Sequence, residues 1–147
     1  MKTTVEIKKL DERAIVPSYG TEFSAGADIY ALCDEKITIN PHETCLIHTG
    51  ISMSIPNGLV GLVFARSGMA TKRSLAPANK VGVIDSDYRG EVMVALHNHG
   101  DAPQTIEQGD RIAQISFVPY YTAEFLVVDE LDKTVRGSGG FGSTGIK

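Results

Sequence analysis

The sequence lacks the features that mark membrane, secreted and nucleic-acid-binding proteins. No apolar run approaches the ~20 residues that cross a bilayer, and the opening stretch MKTTVEIKKLDERA lacks the apolar centre of a signal peptide. Its 14 lysines and arginines are outnumbered by 18 acidic residues, and no basic run offsets the net charge of −4. We therefore expect a cytoplasmic protein that binds neither a membrane nor a nucleic acid.

Cysteine is scarce. Cys33 and Cys45 are the two cysteines, and they belong to no CxxC motif, so we expect free buried thiols and neither a disulfide framework nor a zinc site. His97 and His99 in HNHG have the spacing to share one strand face, but no third ligand accompanies them. We predict no metal site at these histidines.

Helical periodicity is also nearly absent, and residues 67–75, SGMATKRSL, form the one stretch with room for a helical turn or two. Alternating or densely apolar segments predict strands at TVEIK, KITIN, GISMSI, GLVGLVFA, EVMVAL, IAQISFV and FLVV. Turn-forming residues separate these segments. A chain of 147 residues with this pattern fits one all-β domain, an antiparallel sandwich or barrel.

The strand pattern stops near residue 133, so we predict a β-barrel over residues 1–132 and a flexible tail over residues 133–147. The tail carries RGSGGFGSTG, with five glycines in ten residues. Such composition is typical of a disordered terminus. It also suits a phosphate-binding lid, because glycine amides, the hydroxyls of Ser143 and Thr144, the Arg136 charge and the Phe141 ring are ligand-binding groups.

VGVIDSDYRGEVMV, residues 81–94, sets Asp85, Asp87, Tyr88 and Arg89 between two apolar runs. The pattern predicts a hairpin with a highly polar bend. Taken alone it is equally an ordinary turn, because Asp and Ser form turns readily and Gly90 tolerates positive φ. The residue types are also those of a catalytic loop.

Three further segments combine charged residues with strand ends. ARSG places Arg66, Ser67 and Gly68 directly after an apolar run, a combination that suits a phosphate. AGADIYA puts Asp28 among apolar residues, where an acid is a turn anchor or a paired group. QGDRIAQ reads as a turn into a strand, with Asp110 and Arg111 in structural ion pairs.

In their order along the chain, AGADIYA, ARSG, NKVGVIDSDYRGEV, GDRIAQ and RGSGGFGSTG resemble the trimeric deoxyuridine triphosphatases. The resemblance covers nearly the whole chain. It implies a jelly-roll-like β-barrel, a homotrimer with shared active sites, and Mg²⁺-assisted hydrolysis of dUTP to dUMP and pyrophosphate. That reaction would limit uracil incorporation into DNA and supply dUMP for thymidylate synthesis.

The resemblance also implies roles for individual residues. Asp85 would activate the water that attacks the α-phosphorus, and Tyr88 would pack on the deoxyribose and exclude a 2′-hydroxyl. Asp28 would orient charged groups or Mg²⁺-bound water, while Mg²⁺ would be held mainly by the triphosphate. The remaining residues would bind the base (Asn79, Val83, Ile84, Met93), the phosphates (Arg66, Ser67, Gly68, Gln114) and, as a closing tail, both (Arg136, Phe141, Gly142, Ser143, Thr144).

Uracil recognition by backbone groups has a physical basis. The edge of uracil presents acceptor, donor and acceptor, and an extended chain offers alternating N–H and C=O groups, so cytosine would leave buried groups unpaired. Two positions depart from the family pattern: Ala65 replaces a usual proline and Ala27 a larger residue. The alternatives are a dCTP deaminase-like enzyme of the same fold and a nucleotide-sensing module without turnover.

Overall fold

The computed structural model describes residues 2–140, which form twelve strands and one short helix. These elements are β1 (Glu6–Lys9), β2 (Ser18–Tyr19), β3 (Ala27–Tyr30), β4 (Ile37–Ile39), β5 (Thr44–Ile47), β6 (Ile51–Ser54), β7 (Leu59–Phe64), α1 (Ser67–Arg73), β8 (Leu75–Pro77), β9 (Gly82–Ile84), β10 (Val94–Asn98), β11 (Gln104–Ile106) and β12 (Arg111–Pro119). The all-β prediction is confirmed, as is the helical turn predicted after residue 66. No helix within residues 2–140 is long and apolar enough to cross a membrane.

All strand pairs among the described residues are antiparallel. The largest sheet has the order β2-β3-β12-β7-β9, and a second sheet has the order β5-β10-β8. Two small sheets pair β1 with β6 and β11 with β4. β12, the longest strand, lies at the centre of the largest sheet, so β3 and β7 are held on either side of it.

The core is built from the alternating residues that the sequence pattern indicated. In β10, Val94, Leu96 and Asn98 are buried while the residues between them are partly exposed. Ile29 and Ile115 from the five-stranded sheet belong to the same buried cluster. Burial of each such aliphatic side chain contributes roughly 1.5–3 kcal/mol, which makes the strand register strongly specified.

Asn98 is one of three buried polar residues among those described, with Thr49 and Ser52, and both polar atoms of its side-chain amide are hydrogen-bonded. Its Nδ2 donates to the carbonyls of Ile39 (3.0 Å) and Ala102 (2.8 Å), and its Oδ1 accepts from the Gly100 amide (2.9 Å). Asn98 of the HNHG motif therefore has a structural role: it joins the end of β10 to β4 and to the following loop.

The prediction that residues 81–94 form a hairpin is wrong, because the two strands in this segment do not pair with each other. β9 pairs with β7, whereas β10 lies between β5 and β8. Because both edges of β10 are occupied, none is left for β9. Residues 85–93 therefore cross from one sheet to another and do not close a simple hairpin.

Two smaller expectations also differ from the structure. FLVV, residues 125–128, forms no strand within the described chain; Phe125 is 92% and Val127 95% exposed. Cys33 and Cys45 are free but only half-buried. Desolvation raises the pKa of both thiols, so both favour the neutral form.

Candidate active site

The crossing segment lines an open cavity of about 230 Å³. Among the predicted site residues, the cavity wall contains Val83, Ile84, Asp85, Tyr88 and Met93. It also contains Leu46, Glu91 and Val92, which the sequence reasoning missed. Glu91 belongs to the motif NKVGVIDSDYRGEV and could have been proposed from it. Leu46 lies in β5, and no motif in the sequence marks it as a site residue. Asn79 is absent from this wall and lies instead near Gly82.

The bend that carries Asp85 and Tyr88 is closed by its own hydrogen bonds. The Tyr88 amide donates to the Asp85 carbonyl (3.2 Å), and Tyr88 Oη donates to the Glu91 carbonyl (3.0 Å). The Tyr88 ring lies directly on Gly90, where a Cβ atom would come within 2.9 Å of Cε2 and closer still to Cζ and Oη. Gly90 is needed here for space, because a side chain would displace the ring.

Glu91 anchors the far end of the bend. Its Oε1 accepts from the amides of Gly50 (2.8 Å) and Thr49 (3.1 Å), and its Oε2 is 2.8 Å from Nδ1 of His48. Burial alone would raise the pKa of Glu91, but these hydrogen bonds outweigh it and lower the pKa below its usual value. The group is therefore held as a carboxylate.

A second group of predicted residues lies at the ends of β3, β7 and β12. Arg66 Nε donates to Asp28 Oδ1 at 2.7 Å, and Arg111 Nη1 lies 3.3 Å from Asp28 Oδ2. Only 13% of the Asp28 side chain is exposed. Asp28 therefore holds two guanidinium groups together, which produces a concentration of positive charge at the surface.

Gln114 and the start of α1 complete this second group. Gln114 Nε2 donates to the Ala65 carbonyl at 2.9 Å, and its side chain packs on Gly26, where a Cβ atom would come within 2.5 Å of Gln114 Oε1 and displace it. Arg66, in an extended conformation, immediately precedes α1, and Ser67 and Gly68 are the first two residues of the helix. A Cβ at Gly68 would meet no atom within 4 Å, so nothing in the described chain requires glycine at that position.

The two groups are far apart within one chain. β9 runs antiparallel to β7, with Ile84 opposite Gly61 and Gly82 opposite Val63. The ladder ends at Ile84; continued by one residue, it would set Asp85 opposite position 60 of β7, and Arg66 is six residues further along. At ~3.3 Å per strand residue, the main chains at Asp85 and Arg66 are about 20 Å apart.

The tail residues contact neither group in the described part of the chain. Arg136 Nε donates to the Gly139 carbonyl at 2.9 Å and is exposed. The other predicted tail residues, Phe141, Gly142, Ser143 and Thr144, lie outside the described residues.

Comparison with known proteins gives a consistent result. Residues 12–145 match the family model described as dUTPase. The deoxyuridine 5′-triphosphate nucleotidohydrolase of Desulfitobacterium hafniense is 48% identical over 147 residues, covering 99% of this chain and 97% of the relative. Among solved structures, Staphylococcus bacteriophage 80alpha dUTPase with dUpNHpp has a TM-score of 0.90 at 30% identity, covering 99% of this chain and all of that one.

A variant dUTPase from phage phi11 of S. aureus, described with a coordinated structural Mg(II) ion, has a TM-score of 0.80 at 28% identity. It covers 89% of this chain and all of that one. The model match and the match to the bacterial relative both extend over nearly the full length, and the residues matched by the family model span the positions of AGADIYA, ARSG, NKVGVIDSDYRGEV, GDRIAQ and RGSGGFGSTG. The chain therefore belongs to the dUTPase family.

Proposed function

We propose that this protein hydrolyses dUTP to dUMP and pyrophosphate, as a dUTP diphosphatase. The observation that carries the proposal is the cavity of the crossing segment, because it brings Asp85 and Tyr88 together with Val83, Ile84 and Met93. A carboxylate and an aromatic ring at one cavity provide a base for water and a surface for a sugar.

Asp85 acts as the general base. Its carboxylate is exposed and makes no hydrogen bond with the described residues, so it is free to accept a proton from water. The water oxygen then attacks the α-phosphorus in line with the bridging oxygen. The bond to that oxygen breaks, and pyrophosphate leaves.

The cavity recognises deoxyuridine through Tyr88 and the backbone of β9. β9 is an edge strand, so one row of its N–H and C=O groups is unpaired within the chain and available to a base. Tyr88 is held above Gly90 in a fixed position, as a ring that excludes a 2′-hydroxyl must be.

Arg66, Ser67, Gly68 and Gln114 bind the phosphates, and Asp28 orients Arg66. The ion pair between Asp28 and Arg66 supports this assignment, since a guanidinium held by one carboxylate still presents donors to a phosphate. The open space at Gly68 suits the close approach of a phosphate to its backbone.

Each active site is shared between subunits of a homotrimer. The main chains at Asp85 and Arg66 are about 20 Å apart within one chain, a long distance for two groups that act on one triphosphate, and a neighbouring copy can bring them closer together. The exposed segment after β12 supports assembly. Its large apolar side chains lack cover in the described chain: Tyr121, Phe125, Leu126, Val127, Leu131 and Val135.

The family uses Mg²⁺, and the residues present fit that ion. Asp85 supplies carboxylate oxygens of the kind that Mg²⁺ prefers, whereas both oxygens of Asp28 are paired with arginines and would reach the ion only through its water ligands. They suit a metal that arrives with the triphosphate and keeps water ligands. When bound, the ion neutralises phosphate charge and polarises the α-phosphoryl group.

The tail closes over the bound nucleotide. Arg136 would pair with phosphate and Phe141 would stack on the base, so that water is excluded from the site. The flexible lid over residues 133–147 and the cytoplasmic location stay predictions from the sequence.

Product identification tests the proposed reaction. Purified protein is incubated with dUTP, dCTP or dTTP and Mg²⁺, and the products are separated by chromatography. We expect dUMP and pyrophosphate from dUTP alone. Release of ammonia from dCTP would identify a deaminase, and nucleotide binding without any product would identify a sensing module.

A further inference from the structure

Glu91 lies between the bend that carries Asp85 and Tyr88 and the three-stranded sheet, and the proposed reaction depends on how these two regions are positioned. On one side it follows the bend of residues 85–90, and on the other it leads into β10 of the three-stranded sheet. Its side chain is only partly exposed, at 20%, and the residue lines the cavity together with Tyr88.

The loop of residues 48–50 receives this carboxylate. The amides of Thr49 and Gly50 and Nδ1 of His48 contact it at 3.1, 2.8 and 2.8 Å. Gly50 has φ +68°, and a Cβ there would overlap Leu32 and Ala14, so this amide is presented by a backbone that only glycine fits without strain. Two more hydrogen bonds join the same segments, from Thr49 Oγ1 to the Val92 carbonyl and from the Val92 amide to the Ile51 carbonyl.

Tyr88 depends on the same residue. Its hydroxyl donates to the main-chain carbonyl of Glu91 at 3.0 Å, so the residue that is fixed through its side chain also fixes the ring. At the other end of the bend, β9 is held by its ladder with β7. Between these two anchors, and counting only the described residues 2–140 as partners, the bend makes only internal hydrogen bonds.

We propose that Glu91 is a positioning residue for the sugar-binding wall, holding the bend of residues 85–90 and thereby the Tyr88 ring in place. The inference rests on the proposed role of Tyr88 for its effect on substrate choice. Glu91 touches no reacting atom and acts through the Tyr88 hydroxyl.

The test compares Glu91→Gln with Glu43→Gln. The control changes an exposed carboxylate that also accepts two hydrogen bonds, from the amide and Nδ2 of Asn40, and that lies outside the cavity wall. Hydrogen–deuterium exchange of the nucleotide-free protein is followed for peptides covering residues 85–91. We expect exchange in the bend to rise about tenfold in Glu91→Gln and to stay unchanged in Glu43→Gln.

Selectivity supplies the second readout. In Glu91→Gln, the ratio of kcat/KM for dUTP over UTP should fall about tenfold, as expected for loss of a charge-assisted hydrogen bond. The same substitution made in Tyr88→Ala should leave that variant's ratio unchanged, because the ring through which Glu91 acts is gone.

Unchanged exchange in the bend would overturn the proposal, and so would an equal loss of selectivity with and without the Tyr88 ring. A different result separates the two hypotheses. If exchange rises in Glu91→Gln while Tyr88→Ala itself keeps the normal dUTP-to-UTP ratio, Glu91 positions the bend and the sugar-excluding role of Tyr88 is wrong.

Discussion

At the scale of single residues, Asp28 and Asp85 show how surroundings divide two carboxylates between roles. Asp28 is almost enclosed and is bound to Arg66 and Arg111. Asp85 is exposed on the bend at the cavity. A general base needs access to water and a free lone pair, so the arrangement favours Asp85 for catalysis and Asp28 for orienting arginine.

Asp85→Asn should lower kcat by about 10²–10⁴, the usual contribution of a positioned general base, while the Kd for a non-hydrolysable dUTP analogue stays within about threefold. Steady-state kinetics and calorimetry measure the two quantities. Asp87→Asn, two residues further along the same bend, is the matched control and should keep near-normal turnover. Normal turnover in Asp85→Asn would assign the base to another carboxylate.

Glu91 also makes stability depend on pH. Its pKa in the folded protein lies below the ordinary value of 4.5, so its contribution is complete above about pH 4.5 and is lost as the pH falls through the folded pKa. Glu91→Gln should therefore be clearly less stable than wild type at pH 6, and the difference should shrink at pH 3.5. Urea midpoints at one fixed protein concentration measure this; a difference independent of pH would contradict it.

At the scale of secondary-structure elements, the position of β10 between β5 and β8 organises the cavity. It prevents β9 from pairing with β10, so the residues between them cross from one sheet to the other and line an open cavity. Asn98 secures the end of β10 through three hydrogen bonds. The side-chain amide of Asn98 therefore adds to the main-chain hydrogen bonds that already hold this strand end.

Asn98→Ala should lower the free energy of unfolding by about 2–4 kcal/mol, because it leaves two carbonyls and one amide of the loop and of β4 without partners. Asn40→Ala is the control: it removes an exposed amide bonded to Glu43, and it should change stability by no more than ~0.5 kcal/mol. Urea denaturation followed by circular dichroism distinguishes them. Equal changes in the free energy of unfolding of the two variants would show that the buried hydrogen bonds of Asn98 stabilise the fold no more than the exposed ones of Asn40.

At the scale of the whole molecule, the proposed homotrimer is supported by the separation of Asp85 from Arg66 and by the uncovered apolar segment after β12. A tail of about 15 residues reaches at most ~50 Å when extended, far enough to arrive at a neighbouring subunit. Each site would then draw on several chains.

Mixed trimers test this arrangement. Subunits truncated after Asp132 keep all twelve strands but lose the predicted tail, and full-length Asp85→Asn subunits keep the tail but lose the base. Each parent should be nearly inactive, and mixtures should regain activity because an intact base meets an intact tail from another chain. Truncated subunits mixed with truncated Asp85→Asn subunits are the control. If native mass spectrometry shows mixed trimers and activity stays absent, the tail acts within its own subunit or is no lid.

Much of this protein was predictable from the sequence because it depends on local pattern. Alternating apolar residues predicted the strands of the core, such as Ile115 on β12 and Leu96 on β10, since strand periodicity alone decides which face is buried. The helix after Arg66 and the family motifs were also predictable, because they too depend on local sequence. Asp85, Tyr88, Val83 and Ile84 are close in sequence, so their meeting at one cavity required little from the rest of the fold.

Other features were decided only by the tertiary structure, because they depend on partners that are distant in the chain. The failure of residues 81–94 to form a hairpin follows from the occupation of both edges of β10 by β5 and β8. Glu91 gains its role from the amides of residues 49 and 50, and Leu46 reaches the cavity from β5. The strand predicted at residues 125–128 had the right local pattern, but a strand also needs a neighbour to pair with. The described chain supplies none, and sequence periodicity carries no information about which surface will cover it.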